Sequence, residues 1–422
     1  MLDIRFIREN PLLIKDAARK KRIPFDVDKL LTVDERRRTI RTEVEAMRAE
    51  GNATADAIAK IQNPEDKKVA IEQTRAFKAR LEVKEKELGV IEEEFQRLMY
   101  EVPNVPDPSV PDGVSDAENH ETRRWGSEPQ FSFEPKDHIT LLRELDGADF
   151  DRGTKVAGFR GYILKKEGAL LSMALWQFAM ECLVKKGFTP IIVPSLTREE
   201  NLVGTGYLPQ GKDEIYQTQD HLWLVGTAEV STMGMYRDEI LEVSDLPKKF
   251  VALSPCFRRE SGSHGKDTKG LYRVHEFMKV EQVVLCEASH MKSVEFHEEL
   301  TRNAEEMLQA LGLYYRVVTN CGGDLGLGQV KKYDIETWVP SQRKFGETHS
   351  ASYFHDFQTR RLNIRYRDTD GTIRFAHSLN NTAVATPRIL ISIFEQFQQE
   401  DGTVRIPEVL QKYIGKSVIG RG

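Results

Sequence analysis

The chain has 422 residues, 40% of them apolar and 30% charged, with a formal net charge of −5 at pH 7. Such a length exceeds the roughly 100–200 residues of one domain, so two or three domains and at least one sizeable core are expected. No run approaches the roughly 20 uninterrupted apolar residues of a membrane span, and the first residues carry Asp3 and Glu9 without an apolar leader, so a soluble, cytoplasmic protein is expected.

Charge is uneven along the chain. Residues 1–100 hold 22 Lys+Arg against 20 Asp+Glu, a balance of +2 that leaves −7 for the remainder. Cations clump at Arg19-Lys20-Lys21-Arg22 and at Arg36-Arg37-Arg38 with Arg41. Either a polyanion partner or a solvated, salt-bridged helical face accounts for such clumps.

From Asp28 onward, Leu30, Val33, Ile40, Val44 and Met47 keep heptad spacing with a gap at Arg37. Phe77, Leu81, Leu88, Ile91, Phe95 and Leu98 repeat it with a gap at Lys84. Pro64 suits the first turn of a returning helix, so the chain is expected to reverse near residue 63 into an antiparallel coiled-coil hairpin. A helix of about 33 residues would span roughly 50 Å. Facing residues whose numbers sum to 121 would set Leu30 against Ile91, Val33 against Leu88 and Arg37 against Lys84. Two cations in one layer are expected to pack their stems and turn their heads to solvent or to glutamates.

Between Val102 and Gly113 four prolines fall in twelve residues, the mark of an extended joint. The expected division is an N-terminal part over 1–101, a linker over 102–115 and a catalytic body over 116–422. In the body we expect a helix near 167–187 and strands near 188–193, 250–259 and 271–285. A helix near 291–312 follows, then strands near 314–319, 333–339, 362–367 and 372–378, and a helix from about Ala383 to Glu400. Strands outnumber helices and short loops join several, which indicates an antiparallel sheet flanked by helices and an α+β class.

No Gly-x-x-x-x-Gly-Lys-Ser/Thr or Gly-x-Gly-x-x-Gly sequence is present, and Cys321-Gly322-Gly323-Asp324-Leu325-Gly326-Leu327-Gly328 lacks the lysine of a phosphate loop. Any nucleotide site must therefore use side chains. Pro255-Cys256-Phe257-Arg258-Arg259-Glu260 precedes a glycine-rich cationic stretch and then Gly270 to Glu281, in the manner of a hairpin whose tip closes over an anion. Arg258 and Glu260, two apart, would share one strand face, where an arginine grips phosphate and a carboxylate accepts from an exocyclic amine, a pairing apt for ATP. Ser378-Leu379-Asn380-Asn381-Thr382 is read as a strand end leading into a helix that carries Arg388. Glu347-Thr348-His349-Ser350 offers hard oxygens for magnesium. The four cysteines, Cys182, Cys256, Cys286 and Cys321, follow no Cys-x-x-Cys spacing, so neither zinc nor a disulfide framework is indicated.

These residues resemble the seryl-tRNA synthetases of class II, bacterial type, over nearly the whole chain. Met-Leu-Asp-Ile-Arg-Phe-Ile-Arg-Glu-Asn-Pro, the hairpin and Val-Pro-Asn-Val-Pro look like the start, arm and joint of that family. The apolar helix with Gly187 to Pro194 looks like motif 1 of the class, Phe257-Arg258-x-Glu260 like motif 2, and the Arg388 segment like motif 3. The resemblance implies a class II synthetase antiparallel β-sheet flanked by helices, a homodimer with motif 1 at the interface, and an arm that grips tRNA(Ser). It further implies that Thr227 and Glu229 contact the amine of L-serine. Arg258 would hold its carboxylate and the ATP α-phosphate. Glu281, Asn380 and Thr382 would hold its hydroxyl side. ATP would meet Arg258, Arg259, Glu260, Glu347, Thr348, His349, Ser350 and Arg388, with Mg2+ at Glu347 and Ser350. Arg258, Arg388 and Glu281 are the implied catalytic residues. Where relatives read Glu-Ile-Ser-Ser and Asn-Gly-Ser, this chain has Glu347-Thr348-His349-Ser350 and Asn380-Asn381-Thr382, and Ala385-Thr386-Pro387 replaces a commoner glycine before Arg388. The implied activity is a serine–tRNA ligase; an amino-acid ligase loading a carrier protein and an inactive tRNA-binding paralogue are the alternatives.

Overall fold

The computed structural model describes residues 1–262 and 269–421. It divides into two compact units, one of Leu2–Arg19 with Ile23–Pro103, the other of Met1, Lys20–Arg22 and Asn104–Gly422.

The first unit is dominated by helices α1, Val27–Ala59, and α2, Pro64–Glu101, which pack antiparallel. Asp26 caps α1 by accepting from Lys29 N, Asn63 caps α2 by accepting from Glu65 N, and Pro64 occupies the first turn as expected. Leu30, Val33, Ile40, Val44, Ile91, Phe95 and Leu98 are buried, so the seam is the expected one.

Its register is not. Lys29 pairs with Glu94, Arg36 with Glu87, Lys84 with Glu43 and Arg48 with Glu85, and Arg37 lies 3.8 Å over the Phe95 ring. The numbers of these facing residues sum to values between 123 and 133, centred about one heptad beyond 121. Heptad spacing defines a stripe but repeats every seven residues, so a slip of one heptad leaves the apolar match nearly intact. Arg37 and Lys84 thus occupy different layers. Arg37 reaches the fully buried Asp34 at 2.9 Å, which Arg8 and Arg38 also approach at 3.2 and 3.4 Å, while Lys84 finds Glu43 and Glu87 at 2.9 and 3.2 Å. Arg37→Leu is expected to destabilise the hairpin by weakening the compensation of Asp34, and Lys84→Leu to change little. The double variant is expected to equal their sum in urea unfolding followed by helical ellipticity; a coupling beyond about 0.5 kcal/mol would place the two residues face to face after all.

In the second unit, the strands of the main sheet are β1 His120–Trp125, β2 Thr189–Ile192, β3 Lys248–Phe257, β4 Glu276–Cys286, β5 Tyr315–Thr319, β6 Lys331–Val339, β7 Lys344–His355 and β8 His377–Thr386. They lie in the order β1-β5-β6-β7-β8-β4-β3-β2, antiparallel except for the β2–β3 pair. Helices α3 Lys166–Lys185, α4 Ala228–Gly234, α5 His290–Leu311, α6 Phe357–Leu362 and α7 Arg388–Gln396 flank it. The largest core draws on Leu171, Leu175, Leu300, Leu308, Tyr315, Ile335, Leu379 and Phe394, and on no residue of α1 or α2. Asn104 is buried, and its side chain donates to the carbonyls of Gly328 and Phe354 at 2.9 and 2.8 Å.

Three expected elements differ. Residues 357–362 are helix α6 where strand was expected from 362. The segment from Ala383 continues strand β8 to Thr386, and Arg388 opens helix α7 instead of sitting inside it. Pro387 explains this, because the residue before proline is driven out of the helical region. The region around 271–275 precedes strand β4 rather than belonging to it. Among the described residues no helix is long and apolar enough to cross a membrane.

Candidate active site

Strands β4, β7 and β8 form the floor of a cavity of about 240 Å³. Side chains two apart on a strand share a face, so Phe277, Lys279 and Glu281 of β4 all line it. Thr382 of β8 sits directly opposite Glu281, and Asn380 follows on the same face.

One end of the cavity is built around buried carboxylates. Thr227 caps α4, accepting from Glu229 N at 3.3 Å and from the Lys279 ammonium at 2.8 Å. Glu229 is held by both oxygens, accepting from Gln358 Nε2 at 2.7 Å and from the Tyr207 hydroxyl at 3.1 Å. Glu281 forms an ion pair with Lys279. Burial pushes both carboxyls above their ordinary range; Lys279 and Arg258 oppose this at Glu281, and the Gln358 hydrogen bond opposes it at Glu229. The chemistry on offer is recognition of a small molecule bearing an ammonium and a hydroxyl.

The other end is cationic. Arg258 lies over the Phe277 ring at 5.4 Å and reaches the Gly226 carbonyl at 3.4 Å. Glu260 pairs with Arg273 at 3.0 Å and has the left-handed φ of +53°, so β3 ends at Phe257 and both residues lie beyond the strand. Arg388 stacks on Tyr272 at 4.6 Å and faces Glu347 Oε2 at 3.4 Å. Burial would raise the Glu347 carboxyl, but Arg388, Lys332 and Arg258 outweigh it and hold it below the usual range. Glu347 and Ser350 are three apart, yet both line the cavity, because Thr348 is an extra residue between the pairs Glu336–Glu347 and Ile335–His349. That bulge returns the two oxygens to one face. They form a hard-oxygen donor set that fits magnesium. Among the described residues no cluster of three or more His, Cys, Asp or Glu is arranged to hold a metal ion.

Of the residues expected from sequence, Thr227, Glu229, Arg258, Glu260, Glu281, Glu347, Thr348, Ser350, Asn380, Thr382 and Arg388 line this cavity. Two are elsewhere. Arg259 is exposed and outside the lining, because the chain turns after Phe257. His349 points into the core on the other face of β7, its Nε2 donating to the Ala383 carbonyl at 3.0 Å and its Nδ1 accepting from the Thr348 hydroxyl at 2.9 Å. Part of the cationic tip, including Gly265 and Lys266, lies outside the described residues. Lys279, Gln358, Tyr207 and Phe277 were missed; the even spacing of Phe277, Lys279 and Glu281 was the signal for two of them.

The position of His349 has a measurable consequence. Burial pushes His349, and likewise His355 and His377, down to about 4. Between pH 6.5 and 4 the unfolded chain binds protons that the folded chain refuses, so their stabilisation is present above pH 6.5 and lost as pH falls toward 4. His349→Gln is expected to flatten the dependence of the melting temperature on pH over that window while leaving the KM for ATP unchanged. A raised KM for ATP would return His349 to the site.

Residues 213–397 match the family model described as tRNA synthetase class II core domain (G, H, P, S and T), and residues 1–106 match that of the Seryl-tRNA synthetase N-terminal domain. A serine–tRNA ligase of Deinococcus radiodurans is 45% identical over 100% of this chain and 99% of its own length. The chain belongs to the seryl-tRNA synthetases. The crystal structure of the seryl-tRNA synthetase from Pyrococcus horikoshii complexed with ATP superposes with a TM-score of 0.90 at 42% identity, each chain covered completely. The cytoplasmic serine–tRNA ligase from Naegleria fowleri in complex with AMP gives 0.86 at 31% identity, over 100% of this chain and 99% of that one. Family membership accounts for the N-terminal hairpin and the class II core.

Proposed function

We propose that this enzyme, an aminoacyl-tRNA ligase, joins L-serine to tRNA(Ser) in two steps at the cavity on β4, β7 and β8. In the first, a serine carboxylate oxygen attacks the α-phosphorus of ATP, the bond to the bridging oxygen breaks, and pyrophosphate leaves. In the second, a 3′-terminal ribose hydroxyl of tRNA attacks the seryl carbonyl carbon, AMP leaves, and the hydroxyl proton is released. The first step needs alignment and charge neutralisation more than proton transfer, which suits a site rich in arginine.

In this reading Glu229 and Thr227 take the serine ammonium, Glu281 and Thr382 the hydroxyl with Asn380 beside them, and Arg258 bridges the serine carboxylate and the α-phosphate. Glu260 accepts from the adenine amine and Arg388 binds the γ-phosphate. Glu347 and Ser350 hold Mg2+, which supplies charge neutralisation on the phosphates. The observation that carries the assignment is that a carboxylate end, with Glu229 and Glu281, and a cationic end, with Arg258 and Arg388, share one cavity.

Residues 1–101 form the tRNA-binding part, 102–115 the joint and 116–422 the catalytic domain. The enzyme works in the cytoplasm as a homodimer. Leu170 and Met173 on α3 and Ile192 on β2 support the dimer, being large apolar side chains left exposed in a single copy. Serine-dependent exchange of labelled pyrophosphate into ATP, without tRNA, tests the reading; exchange that does not require serine overturns it.

A further inference from the structure

The glycine-rich segment Cys321 to Gly328 and residues Lys20–Arg22 of the basic clump meet in the second unit. A Cβ on Gly322 would stand 2.3 Å from the Lys20 carbonyl, so glycine there lets the two backbones touch. Lys21 is 3% exposed and thus closed to a polyanion. Its ammonium donates to the carbonyls of Gly326 at 3.1 Å, Leu327 at 2.9 Å and Gln329 at 2.5 Å. Asn104 adds a backbone bond to Leu327 O and a side-chain bond to Gly328 O, both at 2.9 Å. All four successive carbonyls of this loop therefore accept from Lys21 or Asn104, with a further bond to Gly326 O from the Gln329 backbone N–H.

Burial lowers the Lys21 pKa well below its ordinary value, the sign of a cation held at a desolvation cost. An apolar side chain would bury there without that cost but would orphan the Gln329 carbonyl and remove the one donor that ties Gly326, Leu327 and Gln329 together. What the ammonium secures is the shape of the loop. Gly326 to Gln329 line the active-site cavity, and Gln329 Nε2 donates to Ser352 Oγ at 2.8 Å. Ser352 is the register partner of Asn380, two residues from Thr382 and on its face, so the loop borders the carboxylate end and not the Arg388 end.

We propose that Lys21 is a positioning residue for serine: it fixes the 326–329 loop as a wall of the serine end of the cavity. This rests on the assignment of that end to serine.

The test measures pyrophosphate exchange by the full-length protein and its Lys21→Met variant. The expected result is a KM for serine raised at least tenfold, with the KM for ATP within about twofold and a smaller change in kcat. Unchanged KM values in a folded variant, or a loss of kcat alone, overturn the proposal and leave Lys21 a scaffold residue. Should Lys21→Met fail to fold, Gln329→Met decides, because it cuts the link from loop to Ser352 while keeping side-chain length. The same selective rise in serine KM supports the proposal and its absence overturns it. Absence of serine-dependent exchange in the unaltered protein would instead count against the assignment of the site.

Discussion

Deleting residues 30–98 and bridging the gap with a short flexible linker is expected to leave serine-dependent pyrophosphate exchange near the level of the full chain, while charging of tRNA is expected to collapse by on the order of 10²-fold or more. Among the described residues the main core of the second unit is built from that unit's own side chains, so it is expected to fold without α1 and α2. What disappears is a surface bearing Arg36, Arg38, Arg41 and Arg48, all about half exposed, from which phosphate contacts and their salt-dependent affinity would come. Both activities are measured on one preparation. Charging that survives at its original rate makes the hairpin structural. The cut has to leave Lys21 in place; a truncation through it is expected to damage exchange as well, through the wall of the serine end.

Replacing Glu281 produces the second large effect. A hydrogen bond to a charged group contributes about 1.5–3 kcal/mol, so losing the hydroxyl contact slows serine activation about tenfold to more than a hundredfold. It also erodes discrimination against alanine, which lacks the hydroxyl, because rejection comes from leaving the polar groups of the site unpaired. Glu281→Ala adds a separate injury, since Lys279 is left as a buried cation without that carboxylate. Glu281→Gln keeps the shape and an acceptor oxygen and is expected to fall between the two. Serine and alanine kinetics together give the answer: equal loss for both substrates reports damage to Lys279 and Thr227, and selective loss for serine reports the hydroxyl contact. No change in either removes Glu281 from the pocket.

The legible parts of the molecule are those where a local pattern has one solution. Asn63-Pro64 marks a helix start because only that arrangement satisfies both the proline ring and the free N–H groups. The stripe of buried leucines and valines in α1 and α2 was equally plain, but its partner register was not, since a seven-residue period is blind to a seven-residue slip. Strand β7 carries no legible pattern for a different reason. It is a central strand whose polar residues, Glu347, Thr348 and Ser350, serve a cavity, so apolar and polar positions do not alternate. The bulge at Thr348 compounds this by breaking the parity on which any prediction of facing depends. The resemblance of the segment Glu347 to Ser350 assigns His349 to ATP along with its neighbours, whereas its side chain belongs to the core. Of the site, the carboxylates and arginines were readable through their motifs. Gln358 and Tyr207, which hold Glu229, come from α6 and the turn after residue 206, far away in sequence and without a pattern of their own.

The heptad seam of α1 and α2 also determines how a chain of this type can change its reach. Inserting one residue into either helix rotates everything beyond it by about 100° and throws the apolar stripe out of the interface. Inserting seven into both helices restores the stripe and advances the tip by roughly 10 Å. Changes of length that keep this seam are therefore quantised: they come in whole heptads, matched on α1 and α2, each adding or removing one layer.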